Sequence, residues 1–237
     1  MSKTNFDFDS LKELHDSVNR LLHSPHTKLE IIRHGGEKLA HDLSEASLKM
    51  ADSCAAAKDL ILIAKDHLQN LQSSFRRTAV ESAADHGSND FAPHRLPRKQ
   101  LKKAILKRLD SLKGMKNTCV AAASPPPEDR NLAAVVDLLK EVRATTLLMV
   151  RSLLSLIALP NRDGKPDSGR KDPFFRLRLT RVDSLRFWEK CDAAEIRAAA
   201  KRLEEVESVV EDMEAELEHM FRRLIRTRAS LLNILTT

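Results

Sequence analysis

The chain has 237 residues, 31% of them Asp, Glu, Lys or Arg, and a formal net charge of +6. It contains no Tyr, one Trp and six Gly, and aromatic residues make up 4%. This excludes sheet-rich folds, which need aromatic and β-branched strands with glycine turns, and Rossmann or P-loop folds, because no G-x-G-x-x-G or G-K-S/T occurs.

Ala, Leu, Lys, Arg and Glu together supply about half of the chain, a share expected of long helices. In chain order, the spacing predicts a first helix from Asp9 to His23, capped by Asp9 or Ser10. Its apolar face would be Leu11, Leu14, Val18, Leu21 and Leu22. Ser24-Pro25 ends it, because a residue before proline avoids helical geometry. A second helical stretch starts near His26 and breaks at Gly35-Gly36. A long helix follows from about Glu37 to Arg77, in which Leu43, Ser47, Met50, Cys54, Ala57, Ile61, Ala64, Leu68, Leu71 and Phe75 alternate steps of four and three. That rhythm is the seam of a helix packed lengthwise against others.

Gly87, Ser88, Asn89, Pro93 and Pro97 mark a loop. A basic helix is expected from Arg98 to Cys119, with Leu101, Ile105, Leu109 or Leu112, and Met115 inward. Residues 121–127, three alanines, a serine and three prolines, form a stiff connector. The next helix runs from Glu128 to Leu159 on a seam of Leu132, Val135, Leu139, Val142, Thr146, Met149, Leu153 and Leu156. Glu128 and Asp129 suit its first turn. The apolar stretch from Ala144 to Leu159 is interrupted by Arg151 and is shorter than the roughly 20 residues of a membrane span, so it reads as a buried bundle helix. Residues 161–173 form a flexible loop, and 174–190 a short helix or ordered linker. The last helix, capped by Asp192 with Glu195 three residues on, keeps heptad spacing from Ile196 through Leu203, Val210, Leu217 and Leu224 to Ile234. The predicted fold is all-α: an antiparallel bundle of long helices with heptad-patterned seams. Residues 1–8 form a short tail and 9–237 one bundle domain, with loops near 78–97, 120–127 and 160–173. The last helix could also pair between two copies, giving a homodimer.

No enzyme is predicted. His34-Gly35-Gly36 lacks the G-x-S-x-G elbow that an oxyanion loop would need, and no nucleophilic triad has a supporting motif. His15, His23, His26, His34 and His41 cluster without a shared helical face; His23 and His26 straddle Pro25. Exposed histidines, no metal and no cofactor are therefore expected. Cys54, Cys119 and Cys191 lie far apart and read as buried free thiols in a reducing compartment. The first ten residues have no apolar signal core and Asp7 and Asp9 disfavour a transit peptide, so a cytoplasmic protein is expected.

Charge is the informative feature. Between Arg95 and Lys116, nine basic residues stand against Asp110 alone, a net +8. Lys99, Lys102, Lys103, Lys107 and Arg108 are candidates for contact with an anionic surface such as a membrane. Nucleic acid is disfavoured, since no aromatic is interleaved from 95 to 119. The last helix carries an acidic belt of Glu204, Glu205, Glu207, Glu211, Asp212, Glu214, Glu216 and Glu218, which is expected to sit near the basic helix and to set pairing. Towards its end, Phe221, Ile225 and Leu232 should widen the apolar face, while Arg222 and Arg226 face solvent as candidate contacts for other proteins.

Three stretches carry a resemblance: Cys54–Leu60 with Leu68–Arg77, Leu132–Val136 with Leu138–Arg143, and Phe221–Leu235, the last the most specific. They resemble a plant-specific family of helical proteins related to the BYPASS proteins, over most of the chain from about Leu11 onward. The resemblance implies a plant protein linked to root and shoot development, and it supplies no catalytic residues. Family members are expected to begin with a Ser/Arg/Pro-rich lead and a further helix. On that expectation the sequence would start near the point where those end, as a short member or an incomplete gene model would. The implied function is a non-enzymatic protein-interaction or regulatory role, with a peripheral membrane adaptor as the alternative.

Overall fold

The computed structural model describes residues 8–81, 92–121, 130–158 and 193–236. They form α1 (Phe8–His23), α2 (Pro25–Glu30), a π-helical turn (Ile31–Gly35), α3 (Gly36–Glu81), a 3-10 turn (Ala92–His94), α4 (Arg95–Ala121), α5 (Arg130–Ala158) and α6 (Ala193–Leu235). Among the described residues there is no strand. The fold is all-α, with long helices packed against one another, as the composition predicts.

Several ends differ from expectation for local reasons. α1 starts at Phe8, so Asp9 lies within its first turn, where the dipole favours a carboxylate. Ser24 has ψ 130°, outside helical space, as its position before Pro25 demands. Proline itself opens α2 at N1, where a missing N–H costs nothing. The expected break at Gly35-Gly36 is instead a π turn leading directly into α3. Its wider i→i+5 loop absorbs an extra residue without stopping the helix. Pro97 lies in the first turn of α4, which therefore begins before it rather than after it. Residues 78–81 and 92–97 are thus helical rather than loop, and α4 continues through Ala121. Glu128, Asp129, Asp192 and the stretches expected as loop or linker at 82–91, 122–127 and 161–190 lie outside the described residues.

The seams are where the heptads place them. All ten seam residues of α3 are buried, from Leu43 to Phe75. Small Ser47, Cys54, Ala57 and Ala64 alternate with bulky Met50, Ile61, Leu68 and Phe75, which lets neighbouring helices interdigitate. Full burial of side chains such as Ile61 and Phe75 contributes about 1.5–3 kcal/mol each. α5 buries Leu132, Val135, Leu139, Val142, Thr146, Met149 and Leu153, and also Val136, Leu147, Val150 and Leu154, so its apolar face is wider than one seam. Leu156 is only half-buried. On α6 every seam position from Leu203 to Ile234 is buried; the side chains of Ile196 and Ala199 lie outside the described ones.

The chain divides into two compact units. Among the described residues, one contains 59–81, 92–107, 154–158 and 193–214; the other contains 8–58, 108–121, 130–153 and 215–236. In the first, Lys65 meets Glu211 and Arg76 meets Glu204, so α3 and α6 run antiparallel there. In the second, Glu45 meets Arg228 and Lys58 meets Glu218, again antiparallel. Also in the second unit, Arg223 acts on His15 and Thr227 bonds Asn19, one turn further along both helices, so α1 and α6 run parallel.

Candidate functional site

The acidic belt of α6 is paired with α3. In the first unit Arg76 reaches Glu204 at 2.7 Å, and Lys65 reaches Glu211 at 2.9 Å and Glu214 at 3.8 Å. Gln69 Nε2 donates to Glu207. The hydrogen bond to Glu211, with the charges of Glu211, Glu214 and Glu207 behind it, holds the Lys65 ammonium above its usual pKa. In the second unit Lys58 donates to Glu218 at 2.8 Å, and Arg222 Nε donates to the same carboxylate at 2.7 Å. These two bonds hold Glu218 below the ordinary carboxylate range. The expectation that the basic helix would set this pairing is replaced by α3, whose Lys58, Lys65 and Arg76 recur along one side.

Four lysines of α4 are therefore left over. Lys99, Lys102, Lys103 and Lys107 are all exposed, and none of the four has an ion pair among the described residues. Arg108 does not belong with them. It is half-buried, its guanidinium donates to the Asp52 carbonyl oxygen at 3.3 Å, and its charge acts on buried Cys54. The spacing holds the signal that separates Arg108 from Lys107: at about 100° per residue Arg108 falls about 20° from Leu101 at the edge of the apolar face, whereas Lys107 falls on the opposite side.

Arg222 and Arg226 are exposed as expected. Arg222 is tied to Glu218, whereas Arg226 has no ion pair among the described residues. The apolar residues beside them depart from expectation. Ile225 is 36% and Leu232 38% exposed, and Phe221 is half-buried. They do not widen the buried face, because the buried side of the helix instead takes in Ser230 at 8% exposure. Arg228, on the flank between that stripe and the seam, meets Glu45 of α3 at 3.6 Å.

One group was missed in the sequence. His15 was expected to be exposed, yet it is fully buried, and neither ring nitrogen has a hydrogen-bond partner. Burial, assisted by the Arg223 charge and opposed by Asp16, lowers its pKa to about 4. Asn19 lies one turn on, buried too, accepting from Thr227 Oγ1. The signal was present: Leu11, His15, Val18 and Leu22 are themselves a four-three-four seam. His23 and His41 are exposed. His67 and His94, in the other unit, face each other with centroids 6.0 Å apart, and burial followed by the His94 and Arg98 charges lowers the His67 pKa.

Cys54 is a buried free thiol, and burial pushes its pKa up to about 12. Such a thiol is a poor nucleophile and a poor ligand. Cys119 and Cys191 have no described side chain. No group of three or more His, Cys, Asp or Glu among the described residues is placed to hold a metal ion. No described helix is long and apolar enough to cross a membrane.

The geometry is thus that of two solvent-facing surfaces: a lysine face on α4, and an apolar stripe flanked by arginines on α6. Neither a curated protein nor a solved structure matches the chain. The family model described as Protein BPS1 matches residues 7–234, and the chain belongs to that BYPASS-like plant family.

Proposed function

We propose that this protein is a non-enzymatic helical regulator that works by binding another protein through the outer face of α6. One observation carries this reading: Ile225 and Leu232, off the seam, stay more than one third exposed on a helix whose seam from Leu203 to Ile234 is buried. Phe221, Ile225 and Leu232 fall within about 40° on the helix, with Arg222 and Arg226 alongside. An apolar strip edged by arginines fits a partner with an apolar groove and an acidic rim; aromatic and arginine anchors dominate such contacts. The same segment carries the most specific part of the family resemblance. Family membership suggests developmental regulation in plants. We place the work of this chain in root and shoot growth, in the cytoplasm, and without cofactor or catalysis.

The test compares proximity labelling in root tissue for the wild type, the double variant Arg222→Glu/Arg226→Glu and the double variant Ile225→Ser/Leu232→Ser. A partner lost with both variants, and then bound directly by the purified wild type alone, supports the reading. If both variants keep their helicity and every interaction, the reading fails. Light scattering shows whether the partner is a second copy of the chain.

A further inference from the structure

The lysine face of α4 has a property that charge alone does not supply. At 100° per residue, Leu96, Lys99, Lys103, Leu106 and Lys107 fall within an arc of about 100°, and Lys102 widens it to about 140°. Within that arc Leu96 is 63% exposed and Leu106 40%. The whole face belongs to one compact unit, which extends to Lys107. No carboxylate occurs from Leu96 to Lys107, so this stretch of the helix has no acidic residue of its own to neutralise the lysines.

We propose that this face docks onto an anionic lipid bilayer. Charge complementarity selects the partner's sign: each lysine near an anionic leaflet contributes attraction. The leucines select a bilayer over other anions. On a helix lying flat, Leu96 and Leu106 enter the boundary between headgroups and acyl chains. The lysine stems lie along that boundary while their ammonium groups stay in water. The face spans about 16 Å from Leu96 to Lys107, enough to bring all four ammonium groups against one leaflet. An acidic protein would use the lysines and leave the two leucines without a role. Nucleic acid would want a stacking platform, and no aromatic residue lies between 95 and 119. This surface is separate in sequence from the one assigned to a protein partner on α6.

The test is co-sedimentation of the full chain with phosphatidylcholine vesicles, with and without phosphatidylserine, at low and raised salt. The chain should pellet with phosphatidylserine vesicles only, and salt should release it. Replacing Lys99, Lys102, Lys103 and Lys107 by Ala should weaken binding roughly 10²- to 10³-fold, from about 1 kcal/mol per lysine. Leu96→Ser/Leu106→Ser should weaken it roughly tenfold with the salt dependence unchanged. Circular dichroism checks that each variant keeps its helices. Absence of binding to phosphatidylserine vesicles at low salt overturns the proposal, as does equal binding by the lysine variant. Binding to polyglutamate but not to vesicles overturns it in favour of an acidic protein. Arg222→Glu/Arg226→Glu should leave sedimentation unchanged; if that variant alone abolished it, the lipid face would be on α6 and this proposal would fall.

Discussion

Thr227 Oγ1 of α6 donates a hydrogen bond to Asn19 Oδ1 of α1 at 3.2 Å, and both residues are buried. The Asn19 amide Nδ2 has no partner. This bond fixes α1 against α6 at a level where the seams would otherwise be apolar. Removing its donor strands the Asn19 oxygen, and an unpaired buried acceptor costs about 1–3 kcal/mol. Thr227→Val should therefore lower stability by that order in urea unfolding. Asn19→Leu combined with Thr227→Val should recover most of the loss, because both polar groups then leave the core together. A double variant no better than the single one would show that the hydrogen bond is not the source of the effect.

The belt between α3 and α6 gives a test that charge swapping can read. Lys65 sits against Glu211 and Glu214, at 2.9 Å and 3.8 Å. Lys65→Glu would place three carboxylates together and should lower the melting temperature. Adding Glu211→Lys to that variant should restore much of the loss, and the difference between the two should shrink at high salt, since these side chains are solvent-screened. The measurement is thermal unfolding of the two variants and the wild type at two salt concentrations.

The existence of the helices was legible because burial follows a repeat: every α3 seam position from Leu43 to Phe75 is buried as its spacing requires. Other features depend on geometry that a linear pattern does not hold. Gly35-Gly36 reads as a stop, but a π turn accommodates it. Pro97 reads as a boundary, but the first helical turn tolerates proline. His15 and Asn19 occupy seam positions, where a polar side chain gives no apolar signal of burial. Ile225 and Leu232 are apolar but lie off the seam, and apolar character alone does not bring them inward. The acidic belt of α6 could have met either basic helix, because attraction between charges does not name a partner. Only the azimuth of Lys58, Lys65 and Arg76 assigns the belt to α3, and that assignment leaves Lys99, Lys102, Lys103 and Lys107 of α4 without an ion pair among the described residues.

Gly114 offers a stabilising change that no seam argument would find. It lies exposed inside α4, and a Cβ added there would meet nothing within 4 Å. Glycine in a helix interior costs roughly 0.5–1 kcal/mol relative to alanine through backbone entropy. Gly114→Ala should raise stability by about that amount in urea unfolding, with the slope of the transition unchanged. A loss of stability would mean that the position requires the extra backbone freedom of glycine.

His15 makes the stability of its unit depend on pH, with a definite sign. Its pKa is about 4 in the folded chain against an ordinary 6.5, chiefly because burial penalises the imidazolium and secondarily because Arg223 repels it. Between these values the unfolded chain binds a proton that the folded chain does not. Stability therefore falls as pH drops from 6.5 towards 4, by about 3 kcal/mol in all, and is flat above that window as far as this residue is concerned. Glu218 and His67, both with lowered pKa, lose stability in the same direction on acidification, so the raw profile of the wild type does not isolate His15. The difference from His15→Leu does. That variant also removes two buried nitrogens without partners, and should be at least as stable as the wild type at pH 7.5. Its advantage should then grow as pH falls from 6.5 to 4.5. Urea unfolding of both proteins across that range checks this; an advantage that stayed constant with pH would mean that His15 takes up no extra proton on unfolding.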